Sequence, residues 1–317
     1  MTTLQPSANG TVRTLRPTGA LRRRQRIERV VRAGLFLTSL ISVLTTTLII
    51  LSLLGPTREF FADVPITEFF GTTQWFPNFE PPQFGVWSIV TGTLVVTSIA
   101  VLVAVPAGLG AAFYLSEYAH PRVRRILKPI LEILAGIPTV VFGFFALYFV
   151  NPKLVKAIWP FGDVSTYTAI GAGIVMGIMI LPIVTSLAED AMAAVPQSLR
   201  NGALALGATK REVCTSVVFP AALSGIVAAT VLAISRAIGE TMIALLAAGS
   251  VPRFTLDPGK DMMTMTAFIG SNGLGDIATG TPQYKAIFAV GALLFAMTFV
   301  LNMISIRIVR RFREVYE

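Results

Sequence analysis

Six stretches of this 317-residue chain are so long and apolar that each must either cross a lipid bilayer or be buried on every side. A hydrocarbon core about 30 Å thick takes about 20 apolar residues to cross as a helix, and backbone groups left unpaired there are costly. Residues 33–57, 81–116, 133–152, 164–188 and 286–306 carry no charge. The sixth stretch, Ala221 to Gly249, is equally apolar but contains Arg236 and Glu240. Charged residues make up 14% of the chain, against about 25% in soluble proteins, so a water-soluble globular domain is excluded. The expected fold is an all-α integral membrane protein with spans near 33–54, 87–114, 130–150, 167–188, 221–249 and 285–306. Trp87 should mark the outer edge of the second span, whose inner end Pro106, Gly108 and Gly110 should bend.

The distribution of basic residues sets an expected orientation, because Lys and Arg near span ends are retained in the cytoplasm. Nineteen lie in 1–32, 116–129, 189–220 and the tail after Ile306; six lie on the other side, at Arg58, Lys153, Lys156, Arg253, Lys260 and Lys285. Both termini are therefore expected in the cytoplasm. The basic tails, 1–32 and 307–317, flank a six-span domain over 33–306, with external loops 55–86 and 250–284 and a long cytoplasmic segment, 189–220. The net charge of +9 is thus accounted for by topology and the lipid bilayer, not by nucleic acid. The first apolar run is too long for a cleaved signal and is expected to be an anchor, preceded by about 25 mobile residues. The two external loops, one aromatic and acidic, the other rich in Gly, Thr and Met, are either plain connectors or surfaces for an external partner.

Enzyme chemistry finds little support. One Cys and one His leave no disulfide framework and too few soft ligands for a zinc or iron–sulfur site, so neither metal nor cofactor is expected. HExxH and GxSxG are missing, and the Gly259-Lys260 pair is followed by Asp261, not by the hydroxyl residue of a phosphate-binding loop. Gly171, Gly173 and Gly177 lie inside an apolar run, where Gly173 and Gly177 predict a close helix–helix contact. His120 is expected in a solvated loop, and Cys214 as a small helix residue.

The segment from Glu189 to Pro220 spells out two short helices. Pro196 suits the first position of one, Gly207 a left-handed stop, and Thr209-Lys-Arg-Glu212 a capping box that starts the second, which Pro220 ends. From Asn201-Gly-Ala203, three residues lead to Gly207 and nine more to Val217-Val-Phe-Pro220. This spacing resembles the EAA loop of permease subunits in ABC importers, with Asn201, Gly202 and Phe219 departing from the commonest residues. Ser-Glu-Tyr-Ala (116–119), Leu-Ala-Gly-Ile-Pro-Thr-Val-Val-Phe-Gly (134–143) and Arg-Ala-Ile-Gly-Glu-Thr-Met (236–242) are similar to the PstC-type permease of phosphate importers. Trp-Phe-Pro (75–77) and Phe84-Gly85 favour that type over the related PstA type.

The resemblance implies a six-helix, MetI-like permease in a bacterial plasma membrane, carrying out transport but no catalysis of its own. It implies a PstA-type partner permease, two copies of a cytoplasmic ATPase, an external phosphate-binding protein and, in signalling, a phosphate-responsive regulator. Asn201, Gly202, Ala203, Gly207 and Pro220 would then form the ATPase-coupling surface. For Arg236 and Glu240 two readings stand. A charge at the bilayer centre costs about 2.5–3.5 kcal/mol, so the pair is either an internal i, i+4 bridge or part of an anion pathway, with Thr139 as a weaker hydroxyl contributor. A permease for molybdate or sulfate and a non-transporting scaffold in phosphate signalling are the alternative functions.

Overall fold

The computed structural model describes residues 19–159 and 164–311. The first 18 residues of the segment expected to be mobile, and residues 312–317 of the second tail, lie outside that range. Helix α1 covers Gly19–Asp63, and packing divides the chain into one unit through Gly55 and a second from Pro56 onward. The second unit continues with α2 (Ile66–Gly71) and a hairpin of β1 (Trp75–Phe76) and β2 (Gln83–Phe84), antiparallel with Trp75 opposite Phe84. It then runs through α3 (Trp87–Phe113), α4 (Pro121–Ala135), α5 (Thr139–Phe145), α6 (Lys156–Ile158) and α7 (Ala169–Ala193). After these come α8 (Gln197–Ala205), α9 (Lys210–Glu212), α10 (Phe219–Ile238), α11 (Met265–Gly273) and α12 (Pro282–Arg311). Wider π-helical turns extend α3 through Tyr118, join α5 to α6 and join α9 to α10.

Six of the resulting helical runs are long and apolar enough to cross a membrane: Ile27–Asp63, Trp87–Tyr118, Thr139–Ile158, Ala169–Ala193, Lys210–Ile238 and Pro282–Arg310. Within the second unit the closest pairing is between α3 and α7. A Cβ on Gly173 would lie 2.6 Å from that of Ile99, and one on Gly177 only 2.9 Å from the Ala100 carbonyl oxygen. The small-residue face thus permits an approach that larger side chains would block. Trp87 opens α3 and donates its indole N–H to the Phe70 carbonyl at 2.7 Å.

Four boundaries depart from the expected spans. The third crossing begins at Thr139, because Gly136 and Pro138 interrupt the chain and leave α4 as a separate helix that is basic at its start and apolar at its end. His120 caps α4 by accepting from the Arg122 N–H. Residues 210–238 form one helical run that passes through Pro220, so this proline opens α10 rather than ending a separate short helix. The π-helical turn at Val213–Val218 lies just before it, where the missing N–H interrupts the hydrogen-bond ladder. The expected 221–249 helix stops at Ile238 and resumes beyond Gly239, up to a π-helical turn at Ala244–Ala248.

The fourth departure concerns 250–284, which was expected to be an external loop. Met262, Thr264, Met265, Thr266, Ala267 and Phe268 are buried in the bundle. The Met265 N–H donates to Thr93 Oγ1 at 2.9 Å, and Thr266 Oγ1 donates to the Glu240 carbonyl at 2.8 Å. Apolar side chains drive the burial, while each threonine hydroxyl finds a local partner and so incurs little desolvation cost. Residues 56–86 likewise invest most of their aromatic side chains in a core: Phe60, Phe69, Trp75 and Phe84 pack with Phe268, whose ring centroid lies 4.9 Å from that of Trp75. Phe79 remains exposed.

Candidate functional site

Two groups of residues stand out, one within the helices and one at the end of the bundle where α3, α4, α7 and α8 meet. The first is built on the break after α10. Gly239 ends the helix, and the Glu240 carboxylate then accepts the backbone N–H of Met242 at 3.0 Å and of Ile243 at 3.4 Å. Glu240 therefore acts as an N-cap for the continuing turn, satisfying donors that the break exposes. Its second oxygen accepts from Arg236 Nη1 at 2.6 Å. The Glu240 side chain is 3% exposed and that of Arg236 40%. Thr93, Thr97, Thr264 and Thr266, together with Val96, Met176 and Ile238, enclose Glu240.

Arg236 has one edge occupied by Glu240, and its Nη2 lies 3.7 Å from Met179 Sδ of α7. An arginine carries five donors, so the exposed side retains capacity for an oxyanion. The bound carboxylate offsets its charge and limits how tightly an anion would be held. The i, i+4 bridge forms, and the Arg236 side chain keeps 40% of its surface exposed. Thr139 sits at the start of α5, half-buried, and among the described residues it makes no hydrogen bond to Arg236 or Glu240. Gly143, one turn later, is the α5 residue that meets this region: a Cβ there would lie 3.1 Å from the Met242 carbonyl oxygen.

The second group is the segment after α7. Pro196 is the N-cap of α8 rather than its first residue, with extended ψ. Gly207 has φ of +90°, and its N–H donates to the Leu204 carbonyl while the Ala208 N–H donates to that of Ala203. This is the Schellman pattern. Thr209 and Glu212 form the reciprocal capping box. Asn201 and Gly202 are exposed, Ala203 is half-buried against the local core, and Pro220 is exposed. Sequence reasoning missed Leu206, which projects from the tip with 92% of its surface exposed beside the exposed Leu204. An apolar side chain that protrudes at a rigid turn is suited to insertion into a partner.

Two sets of buried charges hold this segment, and neither was evident in the sequence. Arg200 pairs with Glu117 and donates through Nη2 to the Met192 carbonyl at 2.7 Å, tying α8 to the ends of α3 and α7. Glu189 is buried between Arg124 and Lys128 of α4, and Lys128 also reaches Asp190 at 2.8 Å. Hydrogen bonds that Lys128 donates to Asp190 and then to Glu189 raise its pKa above the ordinary 10.5.

Residues 104–314 match the family described as the binding-protein-dependent transport system inner membrane component. The chain belongs to this family. Among similar proteins are the probable ABC transporter permease protein YqgH of Bacillus subtilis, 34% identical over 74% of each chain, and the phosphate transport system permease protein PstC of Xylella fastidiosa. The latter is 33% identical over 75% of this chain and 76% of its own. The phosphate transport system permease protein PstC 2 of Mycobacterium tuberculosis is 34% identical over 74% and 77%. The fold is shared with solved ABC transporter chains. One comes from a bacterial alginate transporter, with TM-score 0.61 and 17% identity over 90% of this chain and 96% of that one. Another is from the MetNI methionine transporter, with TM-score 0.54 and 19% identity over 73% and 95%. The permease is accordingly a multi-pass plasma-membrane transport component, and proteins of this kind work with a partner permease, an ATPase and a binding protein.

Proposed function

We propose that the permease forms half of the translocation pathway of an ATP-driven inorganic phosphate importer. Relatives named as phosphate transport system permease proteins match three quarters of the chain at about one-third identity. The observation that carries the mechanism is Arg236, its guanidinium tethered by Glu240 at a helix break while its side chain as a whole is 40% exposed. A phosphate oxyanion would take forked hydrogen bonds from its free edge, while Glu240 keeps the site weak enough for release. Thr139 would supply at most a hydroxyl at the edge of the path.

In this reading both termini are cytoplasmic, a PstA-type permease completes the tunnel, and an external phosphate-binding protein loads it. Two ATPase copies act on the pair of permeases. The α8 tip, with Asn201, Gly202, Ala203, Leu206 and Gly207, docks in an ATPase groove, and Pro220 starts the helix that carries Arg236. A regulator that senses phosphate supply would act through the same assembly. ATP-dependent uptake of labelled phosphate by liposomes containing the purified components tests this function. Uptake should persist in excess sulfate; equal competition by sulfate would point to another oxyanion, and no uptake by a fully assembled complex would refute transport.

A further inference from the structure

Two adjoining cavities lie along α4, beside the corner where α7 turns toward α8. The first, about 570 Å³, is lined by Ser116, Arg124, Arg125 and Lys128. The second, about 270 Å³, is lined by Leu131, Ala135, Pro182, Ile183 and Leu187. Leu115, Lys128 and Glu132 border both, so a basic compartment opens directly onto an apolar one. A small soluble anion has no use for the second, and a hydrocarbon has none for the first. A molecule with an anionic head and an acyl chain satisfies both.

The electrostatics support the same occupant. Glu189 and Asp190 are already engaged by Arg124 and Lys128. Arg125 is exposed, lines the basic cavity and makes no ion pair among the described residues. Glu132, one turn beyond Lys128, is the acid that an anionic head must avoid. No residue of α4 is fully buried, and its Ile126, Ile130 and Ile133 are exposed along one side. An apolar side of this kind suits the boundary between lipid headgroups and acyl chains.

We propose that these cavities bind one acidic phospholipid, with the phosphodiester against Arg125 and an acyl chain along Leu131, Ile183 and Leu187. The test uses full-length protein in neutral detergent, titrated separately with phosphatidylglycerol, with phosphatidylcholine of the same chain length and with inorganic phosphate, read by native mass spectrometry. Phosphatidylglycerol should bind in preference, and inorganic phosphate should not displace it. Arg125→Gln should weaken binding about fivefold, the effect of one basic residue at an anionic lipid surface, whereas Glu132→Gln should tighten it. Thermal unfolding of each variant without lipid checks that the fold is unchanged. Equal binding of phosphatidylcholine, displacement by inorganic phosphate, or unchanged affinity in Arg125→Gln would overturn the proposal.

Discussion

Replacing Arg236 and Glu240 singly and together distinguishes a pathway role from a purely structural one. In Arg236→Gln the buried Glu240 carboxylate loses its 2.6 Å partner but keeps the N–H groups of Met242 and Ile243. The cost of about 3–5 kcal/mol for stranding a buried charge therefore does not apply in full. One charged hydrogen bond is worth about 1.5–3 kcal/mol, and with the arginine 40% exposed water screens part of it. We expect a loss of about 1–2 kcal/mol, too small to abolish assembly. In Glu240→Gln the amide oxygen can still cap the turn, and the released guanidinium should hold an anion more tightly, lowering apparent KM together with turnover. The double Gln variant should assemble, yet lose at least tenfold in phosphate uptake, since a neutral amide lacks the cationic attraction in a low-dielectric tunnel. Arg236→Lys should recover only part, keeping charge without the fork. Uptake and assembly are measured on the same preparations. Wild-type uptake by the double variant would refute the reasoning and leave the pair as a fastener.

Gly207→Val should cost about 1–2 kcal/mol locally, because φ of +90° is strained for a side chain, although the space around it is open. Phosphate-dependent ATPase activity of the assembled complex should fall while insertion stays normal, and Gly207→Asn should be milder; full activity in Gly207→Val removes this turn from coupling. On a Cys214→Ser background, single cysteines near Phe79 and Asp257 should react with an impermeant external reagent and those near Arg125 and Arg211 should not, the reverse pattern overturning the proposed orientation.

What the sequence disclosed followed the range of the interactions involved. Six crossings are visible because apolar length is a local property, and the Gly207 stop and the Thr209–Glu212 box are contained within a few residues. The break at Gly239-Glu240-Thr241 had the same kind of signal, a helix stop followed by a carboxylate able to cap the next turn, but the apolar run around it obscured it. The burial of 262–268 was hidden for a different reason. Its threonines look solvent-seeking until their partners, Thr93 and the Glu240 carbonyl, are brought alongside by the fold. Glu117 with Arg200, and Glu189 with Arg124 and Lys128, are likewise separated by long stretches of chain, so no periodicity marks them.

These buried acids also indicate which basic residues are free to act. Arg200 and Glu117 are both largely enclosed, at 10% and 13% exposure, and Arg200 spends a further donor on the Met192 carbonyl. Such a pair fastens α8 to the bundle and has little left for a ligand. At Glu240 and Glu189 the acid is buried but its arginine is 40% exposed. The carboxylate then orients the cation and offsets its charge, while the open edge retains donors. Among the described residues that asymmetry marks Arg236 at the helix break and Arg124, beside Arg125, on α4; Arg253 with Asp261 shares it at 49% and 15% exposure. The surroundings of the first two separate the ligands. Around Glu240 the hydroxyls of Thr93, Thr97, Thr264 and Thr266 alternate with Val96, Met176 and Ile238 in close packing that has no room for a hydrocarbon chain. Beside α4 an apolar cavity adjoins the cations, which suits a head that brings its own hydrocarbon.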